Sequence, residues 1–413
     1  MKSAGADGCR RARKGKKKYL KVVQKVKRRA RSELRRSRGD WSRYEYASTY
    51  SKDGLGLRED AVGDYSMEYV DASKTTFAEF AWTFEKKGVP CVIRDACVHW
   101  PAMRRWGSGD SCELFEKYKN LMCKVGSDDD GYAVRMKLKH FLQYAKDPEQ
   151  GGADDSPLYV FDGGILQKTD IKSDYTVPCF FAEDLLKYAG ESRRPPYKWL
   201  CIGPARSGTS VHVDPLRTSA WNALIRGEKR WAFFPPDSVP EHVLKPKGVT
   251  SAMRWFDVVW PQTQDPAQWK SYPKPIDVIQ KPGEVIFVPS GWWHVVLNLD
   301  FTVAVTHNFC SSANFDRVFM HCRVSRPKMA IKWVHKLHEV AHRPDLVARA
   351  QNIISKDLRC ESVSSPSSSS SSSSSDSSSS DSEVSSCNND NKKKNNDSSA
   401  ESDDTMCLGY SAP

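Results

Sequence analysis

Between Trp199 and Thr306 the chain breaks into short strand-forming runs closed by proline or glycine, and that spacing limits the fold more than any other feature. Trp199 to Ile202, Lys229 to Phe234, Glu284 to Val288, His294 to Leu299 and Phe301 to Thr306 are rich in β-branched and aromatic residues. A run this short cannot bury its apolar face alone. Many together predict a mostly β, jelly-roll core, a sandwich or barrel whose strands alternate inward and outward faces. Helices are added around it. Phe181 to Gly190 has acids in its first turn and a glycine stop, which predicts a short helix, and Lys328 to Lys356 returns to a helical pattern.

Charge divides the chain as sharply. The first 40 residues hold 17 Lys or Arg against Asp7, Glu33 and Asp40, so the formal charge of +12 sits in the head and the remainder is close to neutral. Arg10 to Arg38 is expected to be a basic arm for nuclear localisation or nucleic-acid contact, with Tyr19 to Val26 turning helical on contact; a solubilising tail is the bland alternative. From Trp41 the composition is globular, and 39% hydrophobic residues with 13 Trp supply a substantial core. From Glu361 nine acids stand against three lysines around the serine run Ser367 to Ser375. Such a tail cannot offset its ordering entropy and is expected to be disordered, with phosphorylation deepening its charge. The expected division is 1–40 basic arm, 41–141 helical and β extension packing on the core, 142–326 core domain, 327–358 helical segment and 359–413 tail. The 12 Cys include no C-x-x-C pair, which fits reduced thiols. With no apolar leader and no run able to span a bilayer, an intracellular protein without membrane contact is expected.

Of the ten histidines, His212 alone has a carboxylate two positions later. On a strand, residues i and i+2 share a face, so Ser210, His212 and Asp214 align opposite Val211 and Val213. An imidazole beside a carboxylate supplies two ligands of the facial triad that holds non-haem Fe(II). Read alone, the pair is more readily a solvated surface pair. A third ligand should come from a later strand, and His294 opens one, although a lone histidine there is more often a hydrogen-bonded core residue. Lys229 begins another strand. Facing inward, its ammonium needs an anionic partner, which a dicarboxylate co-substrate supplies; facing outward, it is an ordinary strand lysine beside Arg230. Thr302, Ala304 and Thr306 line one face of a later strand, as a ligand wall or as close packing.

Together, His212-Val213-Asp214-Pro215-Leu216, Thr218 to Leu224, Gly227 to Trp231 and Gly291 to Asn298 closely resemble the jumonji C oxygenases, over about 41–326. The resemblance implies a double-stranded β-helix of the cupin-like kind and an Fe(II)- and 2-oxoglutarate-dependent dioxygenase. It assigns iron to His212, Asp214 and His294, and 2-oxoglutarate to Lys229, Asn222, Thr306 and Tyr132. Thr209 also matches a co-substrate contact, but strict alternation puts it opposite His212. Arg217 and Ser290 stand where relatives commonly have Gly. The implied activity is C5 hydroxylation of lysine side chains in nuclear proteins, Arg/Ser-rich splicing factors and histones among them. Oxidation of methylarginine, releasing formaldehyde, is a second reaction. Dioxygen is then co-substrate, ascorbate a supporting reductant, and the nucleus the expected location, with nucleolar and cytoplasmic fractions. RNA contact through the arm and a homo-oligomer using 327–358 are further expectations. The competing class is an RNA- or protein-binding scaffold with little catalytic role. His335, His338 and His342 share a helical face without a completing carboxylate, and Trp292 and Trp293 are read as core.

Overall fold

In the computed structural model, which describes residues 4–30, 40–55, 67–107, 112–128, 130–191 and 193–363, strands from Lys198 to Phe309 form the centre of the molecule. Five precede them: β1 (Glu68–Asp71), β2 (Cys91–Arg94), β3 (Met122–Ser127), β4 (Ala133–Lys137) and β5 (Val160–Asp162). The central eight are β6 (Lys198–Gly203), β7 (Gly208–His212), β8 (Ser219–Arg226), β9 (Lys229–Phe234), β10 (Ile276–Gln280), β11 (Val285–Val288), β12 (Trp293–Asn298) and β13 (Thr302–Phe309). They divide into two antiparallel sheets of order β11-β8-β13-β6 and β10-β9-β12-β7, the expected double-stranded β-helix. β2 and β1 extend the first sheet at one edge and β5 at the other, while β3 and β4 form a separate hairpin.

Period-two alternation sorts the side chains. On β8, Trp221, Ala223 and Ile225 join the largest core with Phe181, Phe287 and Phe309. Their neighbours Ala220, Asn222 and Leu224 face the space between the sheets. One apolar layer there contains Ala220, Trp231, Phe233, Val278, Ile286 and Val296. A second contains Cys201, Leu224 and Ala304. Asn222, at the position between Ala220 and Leu224, therefore lies between two apolar layers. Each large apolar side chain sealed in such a layer contributes roughly 1.5–3 kcal/mol, enough to hold a few polar groups in dry surroundings.

The basic arm is ordered by the domain itself. Its helix, α1 (Ala4–Ala30), buries Tyr19, Val23 and Val26, spaced i, i+4, i+7, against β3, β4 and α2 (Leu138–Lys146). Lys27 pairs with Asp154 at 2.5 Å, and the Tyr19 hydroxyl donates to Asp147 at 3.1 Å. The single helix expected over Phe181 to Gly190 is instead two 3-10 turns, Cys179–Phe181 and Leu185–Ala189. Asp184 separates them by accepting from the Leu186 amide, and Gly190, at φ 88°, closes the second. Helices α3 (Phe315–Ser325), α4 (Pro327–Glu339) and α5 (Pro344–Val363) bury Phe315, Phe319, Trp333, Leu337 and Leu346 against the domain. The Ser-rich run and its acids from 364 onward lie outside the described residues, as does the 31–39 part of the arm. Cys91, Cys97, Cys112, Cys123, Cys179, Cys201, Cys310 and Cys322 are free, and among the described residues no helix is long and apolar enough to cross a membrane.

Candidate metal and keto-acid site

His212 ends β7, His294 stands near the start of β12, and the antiparallel register pairs them directly, with ring centroids 4.2 Å apart. Asp214 follows β7 with an extended backbone, capping the turn Pro215–Arg217. One ligand atom from each of the three lies within 4.8 Å of the others, the sole such His, Cys or carboxylate cluster among the described residues. Each imidazole is oriented by its own strand: Nδ1 of His212 meets the Ser210 carbonyl at 2.8 Å, and Nδ1 of His294 meets the Trp292 carbonyl at 3.2 Å. With Nδ1–H donated to those carbonyls, both Nε2 lone pairs are left for a metal. Burial, followed by the neighbouring His212, holds the His294 ring well below the usual imidazole range, and burial pushes the Asp214 carboxyl up. Asp214 Oδ2 stands 3.9 Å from His294 Nε2, buried and without a hydrogen-bond partner. Lone pairs converging in this way repel one another unless a cation lies between them. Two imidazoles and one carboxylate arranged in this way fit an iron(II) centre with open positions.

Lys229 is fully buried. Its Nζ donates to Asn298 Oδ1 at 2.7 Å and to the Tyr159 hydroxyl at 3.4 Å, and no carboxylate pairs with it among the described residues. Burial pushes its ammonium down to about 8. β9 and β12 hold Lys229 opposite Asn298, whose Nδ2 donates to Ser207 Oγ at 2.8 Å. Gly203 makes room for this cluster, because a Cβ there would collide with Ser207, Tyr159 and Asn298. On the facing sheet Asn222 and Thr306 are direct cross-strand partners. The Thr306 hydroxyl donates to the Trp221 carbonyl at 2.9 Å, whereas Asn222 Oδ1 is buried with no partner. An unneutralised ammonium and an unsatisfied amide oxygen thus share one interior with the metal ligands.

Thr209 reaches this interior too, against the expectation from strict alternation. His294 pairs with His212 but Val296 pairs with Thr209, three residues of β7 spanning two of β12. The extra residue is a bulge that resets the alternation, and the Thr209 hydroxyl bonds to Tyr159. A cavity of about 250 Å³, lined by Ala30, Gly126, Tyr159, Phe161, Thr209 and Ser210, opens beside it. Tyr132 is not brought in: it sits 71% exposed at the tip of the β3–β4 hairpin, beyond the turn Asp128–Gly131. Arg217 has a left-handed backbone, φ 53°, a conformation that favours Gly, and its carbonyl accepts from Ser290 Oγ at 2.5 Å. His335 bonds Glu339 on an exposed helix face, while Trp292 joins the inner apolar layer and Trp293 packs on the outer one. Sequence reasoning passed over Tyr159 and Asn298 as contacts of Lys229. Asn298 was within reach, since His294, Val296 and Asn298 share one face of β12.

Residues 77–315 match the cupin-like domain family. The chain is 40% identical over 336 residues, 79% of each chain, to the bifunctional arginine demethylase and lysyl-hydroxylase psr-1 of Caenorhabditis elegans. It is 38% identical over 245 residues to the arginine-specific demethylase JMJ22 of Arabidopsis thaliana, covering 57% of this chain and 45% of that one. The 2-oxoglutarate and iron-dependent oxygenase JMJD4 of Mus musculus is 30% identical over 266 residues, 59% and 60% of the two chains.

Proposed function

The chain belongs to the cupin-like, jumonji C iron- and 2-oxoglutarate-dependent oxygenases, and on that premise we propose that it hydroxylates lysine side chains at C5 in nuclear proteins. Arg/Ser-rich splicing factors and histones are the substrates this reading favours, with methylarginine demethylation as a second reaction. Similarity to a relative named for both activities supports the pairing. Lysyl hydroxylation ranks first because demethylation requires a more particular substrate.

The observation that carries the chemistry is the pairing, inside one β-helix, of a converging donor triad with a buried ammonium that has no counter-ion among the described residues. His212, Asp214 and His294 hold the iron in this reading; Lys229 takes the far carboxylate of 2-oxoglutarate, with Asn222, Thr306 and Thr209 along its length. Bound together, iron and keto acid supply oxidative decarboxylation to succinate with insertion of one oxygen atom of dioxygen into a C–H bond. The protein's share is positional. Backbone carbonyls of Ser210 and Trp292 fix the two imidazoles, Asn298 and Tyr159 hold the ammonium in place, and the apolar layers exclude water.

Anaerobic addition of Fe(II) and 2-oxoglutarate, then air, with mass spectrometry of Lys-rich Arg/Ser peptides, tests this. Gain of one oxygen on lysine is expected, and loss of a methyl from methylarginine peptides would identify the second reaction. Peptides unchanged while succinate accumulates would reject them as substrates.

The scaffold reading has its own support. Lys16, Lys18, Arg135, Lys137, Lys139 and Lys146 line a groove of about 1130 Å³ beside α1, an anion-attracting track suited to RNA phosphates. Cellular function persisting in the double variant His212→Ala, Asp214→Ala would favour it.

A further inference from the structure

Away from the metal and keto-acid residues, a groove of about 1040 Å³ runs beside the turn Phe77–Phe80, its continuation Ala81–Glu85 and the segment after β13. Phe77 and Trp82 both line it, 46% and 62% exposed, an unusual state for two large aromatics on one groove. The continuation is π-helical: the Lys86 amide donates to the Ala81 carbonyl at 2.8 Å, five residues back. This wider winding turns Trp82 outward while Glu85 points inward. Glu85 is 7% exposed. Its carboxylate accepts from Ser311 Oγ at 2.5 Å, and no Lys or Arg stands against it among the described residues. Burial raises it to about 7. None of the groove's own cations pairs with Glu85. Arg343 holds Glu183 at 2.9 Å and Asp345 at 2.8 Å, Arg349 holds Asp316 at 2.9 Å, and Lys86 lies over the Trp82 ring at 4.3 Å.

We propose that this groove docks a lysine or arginine side chain of an extended basic peptide, its aliphatic stem across Trp82 and its cationic head against Glu85. Charge selects the occupant. With Glu183, Asp345 and Asp316 taken up by Arg343 and Arg349, the acid left without a cation is Glu85; an acidic or neutral chain leaves it uncompensated, and a nucleic-acid backbone would set phosphate against it. The groove thereby gives the oxygenase a second hold on a Lys- and Arg-rich substrate chain, remote from the residue being oxidised. This use rests on the protein-substrate reading above, whereas the binding itself requires no turnover.

Cys179 lines the groove and is exposed, while Cys91, Cys97, Cys112, Cys123, Cys201, Cys310 and Cys322 are buried, so alkylation mapped to Cys179 reports occupancy. In the full chain, without iron or keto acid, a long Lys/Arg-rich peptide should slow alkylation mapped to Cys179 about fivefold, and polyglutamate should not. Trp82→Ala and Glu85→Gln should each remove the protection; the glutamine still accepts the Ser311 hydrogen bond, so the fold is kept. With turnover, the KM of the long peptide should rise about fivefold in both variants, with the KM for 2-oxoglutarate and for a peptide of a few residues unchanged. Equal protection by polyglutamate, or protection that survives both substitutions, overturns the proposal. So does a change in subunit number on Trp82→Ala, which would make the groove a contact between copies. Because alkylation is read without catalysis, absence of lysine hydroxylation would reject the proposed reaction and leave this site standing.

Discussion

An ammonium sealed from solvent, held by an amide oxygen and a phenol, is costly to the empty fold and becomes favourable once a carboxylate arrives. Lys229 has a folded value of about 8 against 10.5 in the unfolded chain. Between those values the unfolded state binds more protons, so this residue's contribution to stability rises with pH; below about 8 the whole penalty, roughly 3 kcal/mol, is present. Replacing it by a neutral chain of similar length separates stability from function. Lys229→Met is expected to unfold at higher urea than wild type at pH 7, the two converging towards pH 10, while its KM for 2-oxoglutarate rises at least about tenfold. A variant less stable than wild type at pH 7 would show that Asn298 and Tyr159 fully compensate the charge. The triad and Lys229 were legible in the sequence because period-two alternation needs only a correct strand assignment. The face Thr209 takes was not legible, because a bulge costs one residue and leaves no mark in composition.

At the scale of elements, α1 carries two messages on one helix. Lysines outnumber every other residue type in it, and that density points to an external anion. The stripe Tyr19, Val23 and Val26 is also present in the sequence, at spacings that place it on one face, and it is the reason the helix is docked. The two faces should separate experimentally. Val23→Asp puts an unpaired charge into the contact with β4 and α2 and should cost about 3–5 kcal/mol, seen as faster hydrogen exchange over α1. Exposed Lys16, Lys18, Lys21 and Lys25 changed together to Gln should leave that exchange unaltered while weakening polyanion binding and flattening its salt dependence. Exchange that rises equally in both variants would mean the lysines hold the helix. The 3-10 turns after Cys179 were beyond sequence reading for a related reason: the Asp184 side-chain cap competes with helix continuation and is decided by tertiary contacts, the Cys310 amide among them.

Across the whole molecule, the site binds the two sheets to each other. β7 and β12 carry the imidazoles in one sheet, β9 in the same sheet carries Lys229, and β8 and β13 in the other carry Asn222 and Thr306. On the proposed assignment a metal would join neighbouring strands of one sheet, and a keto acid held by Lys229 of that sheet would also meet Asn222 and Thr306 of the other. Ligands that bind only the folded state add RT ln(1 + [L]/Kd), about 2.7 kcal/mol at a hundredfold excess, and both should raise the thermal midpoint. On the proposed assignment their contributions should couple, because one end of the keto acid would meet the metal and the other the Lys229 ammonium. With a redox-inert divalent ion, wild type should show a further rise on adding 2-oxoglutarate; Lys229→Met should retain the metal's rise and lose that further rise; and Asp214→Ala should lose both. Differential scanning calorimetry under nitrogen reads all three. If the keto acid stabilised Lys229→Met as much as wild type, the ammonium would not be its anchor, and the buried charge would need another explanation.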